Sequence, residues 1–484
     1  MDRDRCVTRR IRLAVLVTVC CGVMLSSAAF GTLREGVDLY KNGKIDEAII
    51  AVKEAVDDDP EDATARRWLG FLLLKKWKYS EALVHLQKAR ELEADGPELR
   101  NNLGMAYLGT GQYQKAIDEL QQAIKLKKDY PEALYNLGNT YLTLKEYDKA
   151  IDAYTKAAQF APKDADIRNN MGLALQEKNR LDEAVAAFRK ASELAPANAE
   201  FAVNLGVALK KKNDPAGAGA AFRKALAVDP NIYEARLGLA EVSAILGRED
   251  DALEQYEAAA KLKPEEFSPH YNIGVLYSKQ GRFAKATDAF TAALKVNPND
   301  AEALACLGWA QFKTGNSKQA VVNLTLATEK NPNLLAAWLN LGTIYTIEDN
   351  VPAAIAAWEA AVALDPDNTG ALINLGNLYL QTERYEKAAE SYQSAAAADN
   401  KSAAAYFGLG AAYAGMAKTD EAITHYEKAI EANPKMASAY NNLGVELEKK
   451  GRTDDAKAQY RKALQVDPQN EDAKRNLERF GEQQ

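Results

Sequence analysis

The sequence predicts an all-α protein built from tandem pairs of helices, and a strict 34-residue period is the main reason. From Gly36 to Gly444 every thirty-fourth residue is glycine, except Ala240. If that glycine is position 8 of a repeat, positions 20 and 27 are alanine in all 13 repeats, and position 32 is proline in 10 of them. Such a period indicates a repeat array and not a globular enzyme domain.

Each repeat predicts one helix, a short turn and a second helix. In the repeat that begins at Pro131, apolar residues recur three and four residues apart, as one buried helix face requires. Lys145 and Glu146 interrupt this pattern, and the second helix runs from there to about Pro162. Small residues at positions 8 and 20 allow the two helices to approach closely. Proline ends a pair or opens a first turn, where its missing N–H costs no helical hydrogen bond.

Leu-Gly, Tyr, Ala, Phe, Ala and Pro at fixed offsets resemble the tetratricopeptide repeat (TPR) pattern. The match comprises thirteen consecutive repeats over residues 30–470, with a boundary every 34 residues from residue 29. The resemblance implies a right-handed superhelical solenoid, with a concave groove lined by the first helices and contacts only between neighbouring repeats. Residues 471–484 begin like another first helix and then stop, so we expect a C-terminal capping helix there.

Residues 1–29 have the pattern of a targeting segment. Five arginines precede the apolar run from Leu13 to Leu25, and small residues up to Ala29 suit a signal-peptidase site. The run is short for a bilayer span of about 20 residues, but an uncleaved membrane anchor remains the alternative. In either case the arginines stay inside, so we expect an extracytoplasmic protein: periplasmic, secreted, or anchored with its repeats outside.

The charge balance narrows the choice of partner. The chain carries 61 basic and 68 acidic side chains, a net charge of −7, and five of the basic ones lie in residues 1–29. Nucleic-acid binding needs a basic stripe, so the acidic balance argues against it. The balance also disfavours an anionic membrane surface, so we expect membrane contact only through residues 1–29, if they are not cleaved.

No residue pattern predicts catalysis, a metal or a cofactor. His85, His270 and His425 lie at least 155 residues apart, and neither His-Glu-x-x-His nor Cys-x-x-Cys occurs. Cys306 is the one cysteine beyond residues 1–29, so no internal disulfide is expected. We therefore expect a protein that is not an enzyme and that needs no cofactor.

Asparagine recurs two residues before the periodic glycine, in the first helix of eight repeats: Asn102, Asn136, Asn170, Asn204, Asn272, Asn340, Asn374 and Asn442. Asn139 and Asn377 lie one turn further along their helices. In TPR proteins with such a ladder the asparagines face the groove and hold the backbone of an extended peptide, and the resemblance implies this role here. An amide offers a donor and an acceptor to any peptide group. The alternative is that these amides hydrogen-bond neighbouring helices or simply follow the consensus of the family.

Side chains beside this ladder are expected to set specificity. Tyr135, Tyr271 and Trp309 are candidates for apolar pockets that hold partner side chains. Carboxylates recur near the start of the first helices: Glu98, Glu132, Asp166, Glu200, Glu234 and Glu302. One TPR subgroup clamps a C-terminal carboxylate with lysine and arginine at these phases, and this sequence does not fit that clamp. We expect a protein or extended-peptide partner that is neutral or basic where it meets repeats 3 to 6.

These observations favour a non-catalytic scaffold or adaptor that binds an extended peptide or partner protein in its groove, outside the cytoplasm. Two alternatives remain, a structural scaffold that oligomerises and an accessory subunit of a glycan-handling or secretion complex. Gly217, Gly219 and Gly238 interrupt the pattern in repeats 6 and 7. A flexible joint is one hypothesis for these glycines, and sequence drift is the other.

Overall fold

The computed structural model describes residues 30–92 and 95–481, and these residues form 27 α-helices and no strand. The all-α prediction is confirmed, because the helices follow one another in pairs, one pair for each 34-residue repeat. Residues 1–29, predicted as a signal peptide or membrane anchor, lie outside the described residues, as do residues 482–484 of the predicted cap. Within the described ranges no helix is long and apolar enough to cross a bilayer.

The described residues divide into two compact units, one up to Leu262 and the other from Lys263 onward. The first contains α1 (Phe30–Lys41), α2 (Ile45–Asp58), α3 (Ala63–Lys75), α4 (Tyr79–Leu92), α5 (Pro97–Gly109), α6 (Tyr113–Leu126), α7 (Pro131–Thr143), α8 (Tyr147–Phe160), α9 (Ala165–Glu177), α10 (Leu181–Leu194), α11 (Ala199–Lys211), α12 (Pro215–Val228), α13 (Tyr233–Ile245) and α14 (Glu249–Leu262). The second contains α15 (Phe267–Lys279), α16 (Phe283–Val296), α17 (Ala301–Lys313), α18 (Ser317–Lys330), α19 (Leu335–Ile347), α20 (Val351–Leu364), α21 (Thr369–Gln381), α22 (Tyr385–Ala398), α23 (Ala403–Gly415), α24 (Thr419–Ala432), α25 (Ala437–Lys449), α26 (Thr453–Val466) and α27 (Glu471–Glu478). Odd-numbered helices up to α25 are the first helices of repeats, and α27 follows the last repeat.

The periodic glycine allows close contact within each helix pair. A Cβ atom on Gly138 would lie 2.5 Å from the ring of Tyr154, and one on Gly172 would lie 2.8 Å from the ring of Phe188. Tyr154 and Phe188, both at position 24 of their repeats, are fully buried. Because protein interiors are close-packed, these contacts leave no room for a methyl group. The packing of the second helix on the first therefore accounts for the glycine period.

The aromatic residue at position 24 can also contact the next repeat. Phe222 lies between Gly206 of its own repeat and Gly238 of the following one, and Cβ atoms there would approach its ring to 2.6 and 2.5 Å. Tyr392 lies in the same way between Gly376 and Gly408. Gly238 occupies the position at which most repeats carry the ladder asparagine. In repeat 7 the Phe222 ring therefore occupies the place where a side chain at this position would begin.

The other unusual glycines also make defined contacts. The N–H of Gly217 donates to the Asp214 carboxylate at 2.8 Å and so helps to cap α12. A Cβ atom on Gly219 would lie 3.4 Å from Val242 in the next repeat. The distance at Gly219 is an ordinary van der Waals contact, so packing does not require glycine there. The flexible joint itself stays a prediction.

Candidate peptide-binding face

Asparagine side chains connect the first helices of neighbouring repeats. Nδ2 of Asn136 on α7 donates to Oδ1 of Asn101 on α5 at 2.8 Å. Nδ2 of Asn204 on α11 donates to Oδ1 of Asn169 on α9 at 2.9 Å. Position 6 of one repeat is thus bonded to position 5 of the repeat before it. These bonds fix the helices relative to one another, because an unpaired buried amide costs about 1–3 kcal/mol.

Asn139 on α7 lies at the centre of these contacts. Its Oδ1 accepts a hydrogen bond from the Tyr154 hydroxyl at 2.6 Å and another from Nδ2 of Asn170 at 2.9 Å. Nδ2 of Asn170 also donates to the Tyr135 hydroxyl at 3.0 Å. Asn139 is 0% exposed, and its Nδ2 has no hydrogen-bond partner among the described residues. This donor is an exception, since nearly all buried polar groups in proteins are paired.

The residues of these contacts are called the amide network: Asn101, Asn136, Asn139, Asn169, Asn170, Asn204, Tyr135 and Tyr154. Burial raises the pKa of Tyr135 and the charge of Asp166 raises it further, whereas the amides of Asn139 and Asn170 lower it. Asp166 and both amides therefore act on the same phenol oxygen. The charge at the start of α9 therefore acts on the network through Tyr135.

Two of these contacts recur in the second compact unit. Nδ2 of Asn476 on α27 donates to Oδ1 of Asn441 on α25 at 2.9 Å. The Tyr392 hydroxyl donates to Oδ1 of Asn377 at 2.6 Å, as Tyr154 does to Asn139. Asn377 is nevertheless exposed. The same sequence position is therefore buried in repeat 4 and open to solvent in repeat 11.

The structure places the predicted binding residues in three settings. Four are buried: Tyr135, Asn136, Asn139 and Asn170. Eight are half-buried, namely Asn102, Asn204, Asn272, Asn340, Asn374, Asn442, Tyr271 and Trp309, and Asn377 is exposed. The amide donors of Asn136, Asn170 and Asn204 already bond neighbouring helices, as the alternative interpretation expects. Their binding of a peptide stays a prediction.

Sequence reasoning did not include Asn101, Asn169 and Asn441, which accept hydrogen bonds from the first helix of the next repeat or segment. A signal for them exists, because each is the first member of an Asn-Asn pair. On a helix, two adjacent residues point about 100° apart, so a pair of amides can reach a neighbouring helix and the open face together. A search for paired amides at positions 5 and 6 would have identified them.

The predicted aromatic residues of the second compact unit pack against other rings. Tyr271 stacks on Phe267 with 5.4 Å between ring centroids, and it lies 5.8 Å from Phe290. Trp309 lies 5.5 Å from Phe312. Each pair joins a half-buried ring to a second one at the separation typical of aromatic contacts. The two pairs are half-buried apolar patches on α15 and α17, suited to an apolar side chain of a partner.

The carboxylates at position 2 of repeats 3 to 6 have no lysine or arginine partner in the described part of the chain: Glu98, Glu132, Asp166 and Glu200. Burial, together with the charges of Asp164 and Glu200, raises the pKa of Asp166 to about 6. Asp166 is half-buried near the start of α9. The folded protein therefore holds a carboxylate in a place that disfavours its charge.

We expect the substitution Asp166→Asn to stabilise the protein at pH 7 by about 1 kcal/mol, after allowance for the exposed half of the side chain and for the α9 dipole. The pKa of Asp166 in the folded protein, about 6, exceeds its usual value of 3.8. Ionisation of Asp166 therefore costs stability as the pH rises from about 4 to 6, and the full cost remains at higher pH. The gain should shrink as the pH falls from 6 towards 4, where the wild-type carboxyl is protonated. Hydrogen exchange across residues 165–198 measures this gain in stability, with Glu302→Gln as the control. A loss of protection at pH 7 would contradict the expectation.

Comparison with known proteins found solved structures whose structural similarity to this chain is low. A search of curated proteins found no match. The chain is 26% identical to YrrB, described as a TPR protein with an unusual peptide-binding site, over 38% of this chain and 95% of that one, with a TM-score of 0.36. It is 34% identical to MamA over 33% and 93%, with a TM-score of 0.30. Yeast Tom70 is 17% identical over 86% and 94%, with a TM-score of 0.32. These TM-scores are too low to support an argument about this chain.

The family comparison covers more than half of the chain. A tetratricopeptide repeat family matches residues 33–98, 101–165, 169–230, 307–369, 339–403 and 373–417. A second family of that description matches residues 268–300, 403–436 and 437–470, and a third matches residues 289–322. A TPR repeat family matches residues 243–281. Together with the helix pairs of the structure, these matches confirm the predicted resemblance: the chain belongs to the tetratricopeptide repeat family.

Proposed function

We propose that this protein is a non-catalytic scaffold that binds an extended segment of a partner protein along its first helices, outside the cytoplasm. The observation that carries the proposal is the concentration of amides and unpaired carboxylates on α5, α7, α9 and α11. The TPR fold supports a protein–protein interaction scaffold. Within each compact unit, each repeat contributes the same positions to one face, so polar groups at those positions lie in register for an extended chain.

The amide network leaves part of its capacity for a peptide. Among the described residues, Oδ1 of Asn136 and Oδ1 of Asn204 accept no hydrogen bond, although the Nδ2 atoms of both are engaged. The half-buried amides of Asn102, Asn340 and Asn374 make no side-chain hydrogen bond in the same ranges. Backbone N–H and C=O groups of an extended segment are suitable partners for these atoms, whatever its side chains.

The sequence supports the proposed location of the partner, and the carboxylates support its proposed charge. The basic and apolar pattern of residues 1–29 is typical of export, so the partner is met outside the cytoplasm. Unpaired carboxylates on the first helices of repeats 3 to 6 favour a segment that is neutral or basic there. They disfavour nucleic acid, whose phosphates would meet like charges.

A pull-down with residues 30–484 as bait tests this function on an extracytoplasmic fraction. The test variant carries Asn102→Ala, Asn340→Ala and Asn374→Ala, because these amides are partly open and free of internal bonds. The control variant carries Gln122→Ala, Gln159→Ala and Gln465→Ala, exposed amides of second helices. Circular dichroism first checks that all three proteins are equally helical.

We expect a partner that the wild type and the control capture and that the test variant loses. Equal capture by all three proteins would contradict binding along the first helices. That result would favour the second candidate function, an oligomerising scaffold. One observation supports that candidate: the last residues of several second helices are exposed and apolar, namely Leu126, Phe160, Val228, Leu262, Val296, Leu364 and Val466. Sedimentation of the isolated protein at several concentrations then shows whether it self-associates.

A further inference from the structure

We propose that Asp166, with Asp164 and Glu200 beside it, forms a subsite for a lysine or arginine side chain of the bound segment. This subsite, called the Asp166 subsite, also includes Tyr135 and Asn139 of the amide network. The inference rests on the proposed function, since it names the side chain that one part of the first-helix face recognises.

The first observation is a missing counter-charge. Several other carboxylates of the first compact unit have basic partners: Asp148 lies 2.9 Å from Lys178, and the buried Glu119 lies 2.8 Å from Arg100. Asp166 and Glu200 have no such partner among the described residues, although they lie near each other and near Asp164. Three like charges at the starts of α9 and α11 repel one another, and a cation placed between them removes that repulsion.

The second observation is that the backbone carrying these carboxylates is held in place by helix caps. Oδ1 of Asp164 caps α9 by accepting from the backbone N–H groups of Asp166 at 2.9 Å and of Ile167 at 3.1 Å. The N–H of Glu200 donates to the cap residue Asn198 at 3.1 Å. Asp166 and Glu200 thus project from the first turns of two adjacent first helices. A fixed backbone at both positions reduces the reorganisation needed when a cation binds.

The third observation, independent of charge, is the unpaired donor of Asn139. Its Oδ1 is occupied by Tyr154 and Asn170, so Nδ2 is left on the side of the Tyr135 hydroxyl, whose pKa the charge of Asp166 raises. This fully buried donor lacks an acceptor within the described part of the protein. A peptide carbonyl reaches this donor when the Tyr135 ring turns aside, since Asn139 is itself 0% exposed. A residue with a backbone carbonyl and a cationic side chain matches both unmet groups.

Other cationic ligands fit less well. A divalent metal needs several oxygen ligands around one point, and no group of three or more His, Cys, Asp or Glu among the described residues is arranged to hold one. A planar guanidinium or an ammonium group needs only one or two carboxylates at hydrogen-bond distance. The arrangement of Asp166 and Glu200 therefore favours a side chain of a partner protein.

Fluorescence anisotropy with a labelled peptide tests the Asp166 subsite on residues 30–484. An extended peptide of about ten residues crosses four first helices. The probe alternates lysine with glycine and serine, and a second probe has norleucine in place of lysine. The test variant is Asp166→Asn, which removes the charge and keeps the shape. The control variant is Glu302→Gln, which removes an exposed carboxylate at the same phase of α17.

We expect Asp166→Asn to weaken binding of the lysine probe about tenfold, and to leave the norleucine probe and the helicity unchanged. Glu302→Gln should leave the affinity for both probes near that of the wild type. Equal affinity of the wild type and Asp166→Asn for the lysine probe would overturn the subsite. Titration with calcium alone supplies a second check, and calcium binding lost in Asp166→Asn would also overturn it, because the site would then be a metal site.

The two proposals fail separately. If the Asn102, Asn340 and Asn374 variant loses the captured partner while Asp166→Asn binds the lysine probe normally, the first-helix face stands and the subsite is wrong. If the triple asparagine variant retains the partner and Asp166→Asn binds the lysine probe as the wild type does, both proposals are wrong.

Discussion

Replacing Phe222 with alanine is expected to destabilise the first compact unit by about 3–5 kcal/mol, the cost typical of removing a large buried ring. Phe222 is fully buried and lies between Gly206 and Gly238, which belong to consecutive repeats. Neither glycine has a side chain that could move into the cavity. The substitution therefore weakens two contacts at once, the helix pair of repeat 6 and its junction with repeat 7.

Hydrogen exchange of the full chain measures this effect, because long repeat arrays do not unfold in one two-state step. Protection should fall most across residues 199–245 and much less in repeats 1 to 3. The control is Val228→Ala, which truncates a side chain that is 45% exposed at the end of the same helix. Similar losses of protection in both variants would show that packing of the Phe222 ring between the two glycines contributes little to stability.

The period of the sequence predicted the helices closely, because the same few contacts recur in every repeat. Pro131 begins α7 and Pro215 begins α12, as expected for a residue that opens a first turn. The glycine at position 8 was interpreted as a site of close helix contact, and Gly138 and Gly172 make that contact. Local spacing and side-chain size were sufficient for these elements.

The orientation of the ladder amides could not be predicted in the same way. Position 6 lies where one repeat meets the preceding one, so an amide there can bond the neighbouring helix or a ligand. Asn204 bonds Asn169 of the preceding repeat, whereas Asn272 turns to the carbonyl of Ser268 in its own helix at 2.9 Å. Both residues are asparagines at position 6 of their repeats. The difference depends on whether position 5 of the preceding repeat offers an acceptor, which the period alone does not reveal.

The carboxylates near the start of the first helices were visible in the sequence, but the effect of their surroundings on each pKa was not. Asp166 and Glu302 occupy the same phase, yet Asp166 is half-buried and Glu302 is exposed. The burial of Asp166 and the proximity of Glu200 depend on how neighbouring repeats pack. Spacing therefore predicted where the carboxylates lie, and the structure was needed to identify the one whose pKa is raised.

That raised pKa gives the subsite a pH dependence, the second large effect that we expect. The affinity for the lysine probe should decrease up to tenfold per pH unit as the pH falls below about 6, where Asp166 gains a proton. The direction follows from linkage: a bound ammonium favours the ionised carboxylate, so the complex holds fewer protons than the free protein. Asp164, Glu200 and Tyr135 face the same carboxyl, and their charges and burial set the midpoint.

Anisotropy titrations between about pH 7.5 and 5 measure this dependence, since a lysine probe with blocked ends does not titrate in that range. The Asp166→Asn variant is the matched control and should bind weakly with little change over the same interval. The same slope in the variant and the wild type would assign the titration to another group. A slope confined to the wild type, together with the greater stability of Asp166→Asn at pH 7, would show that the fold keeps a destabilising carboxylate because binding requires its charge.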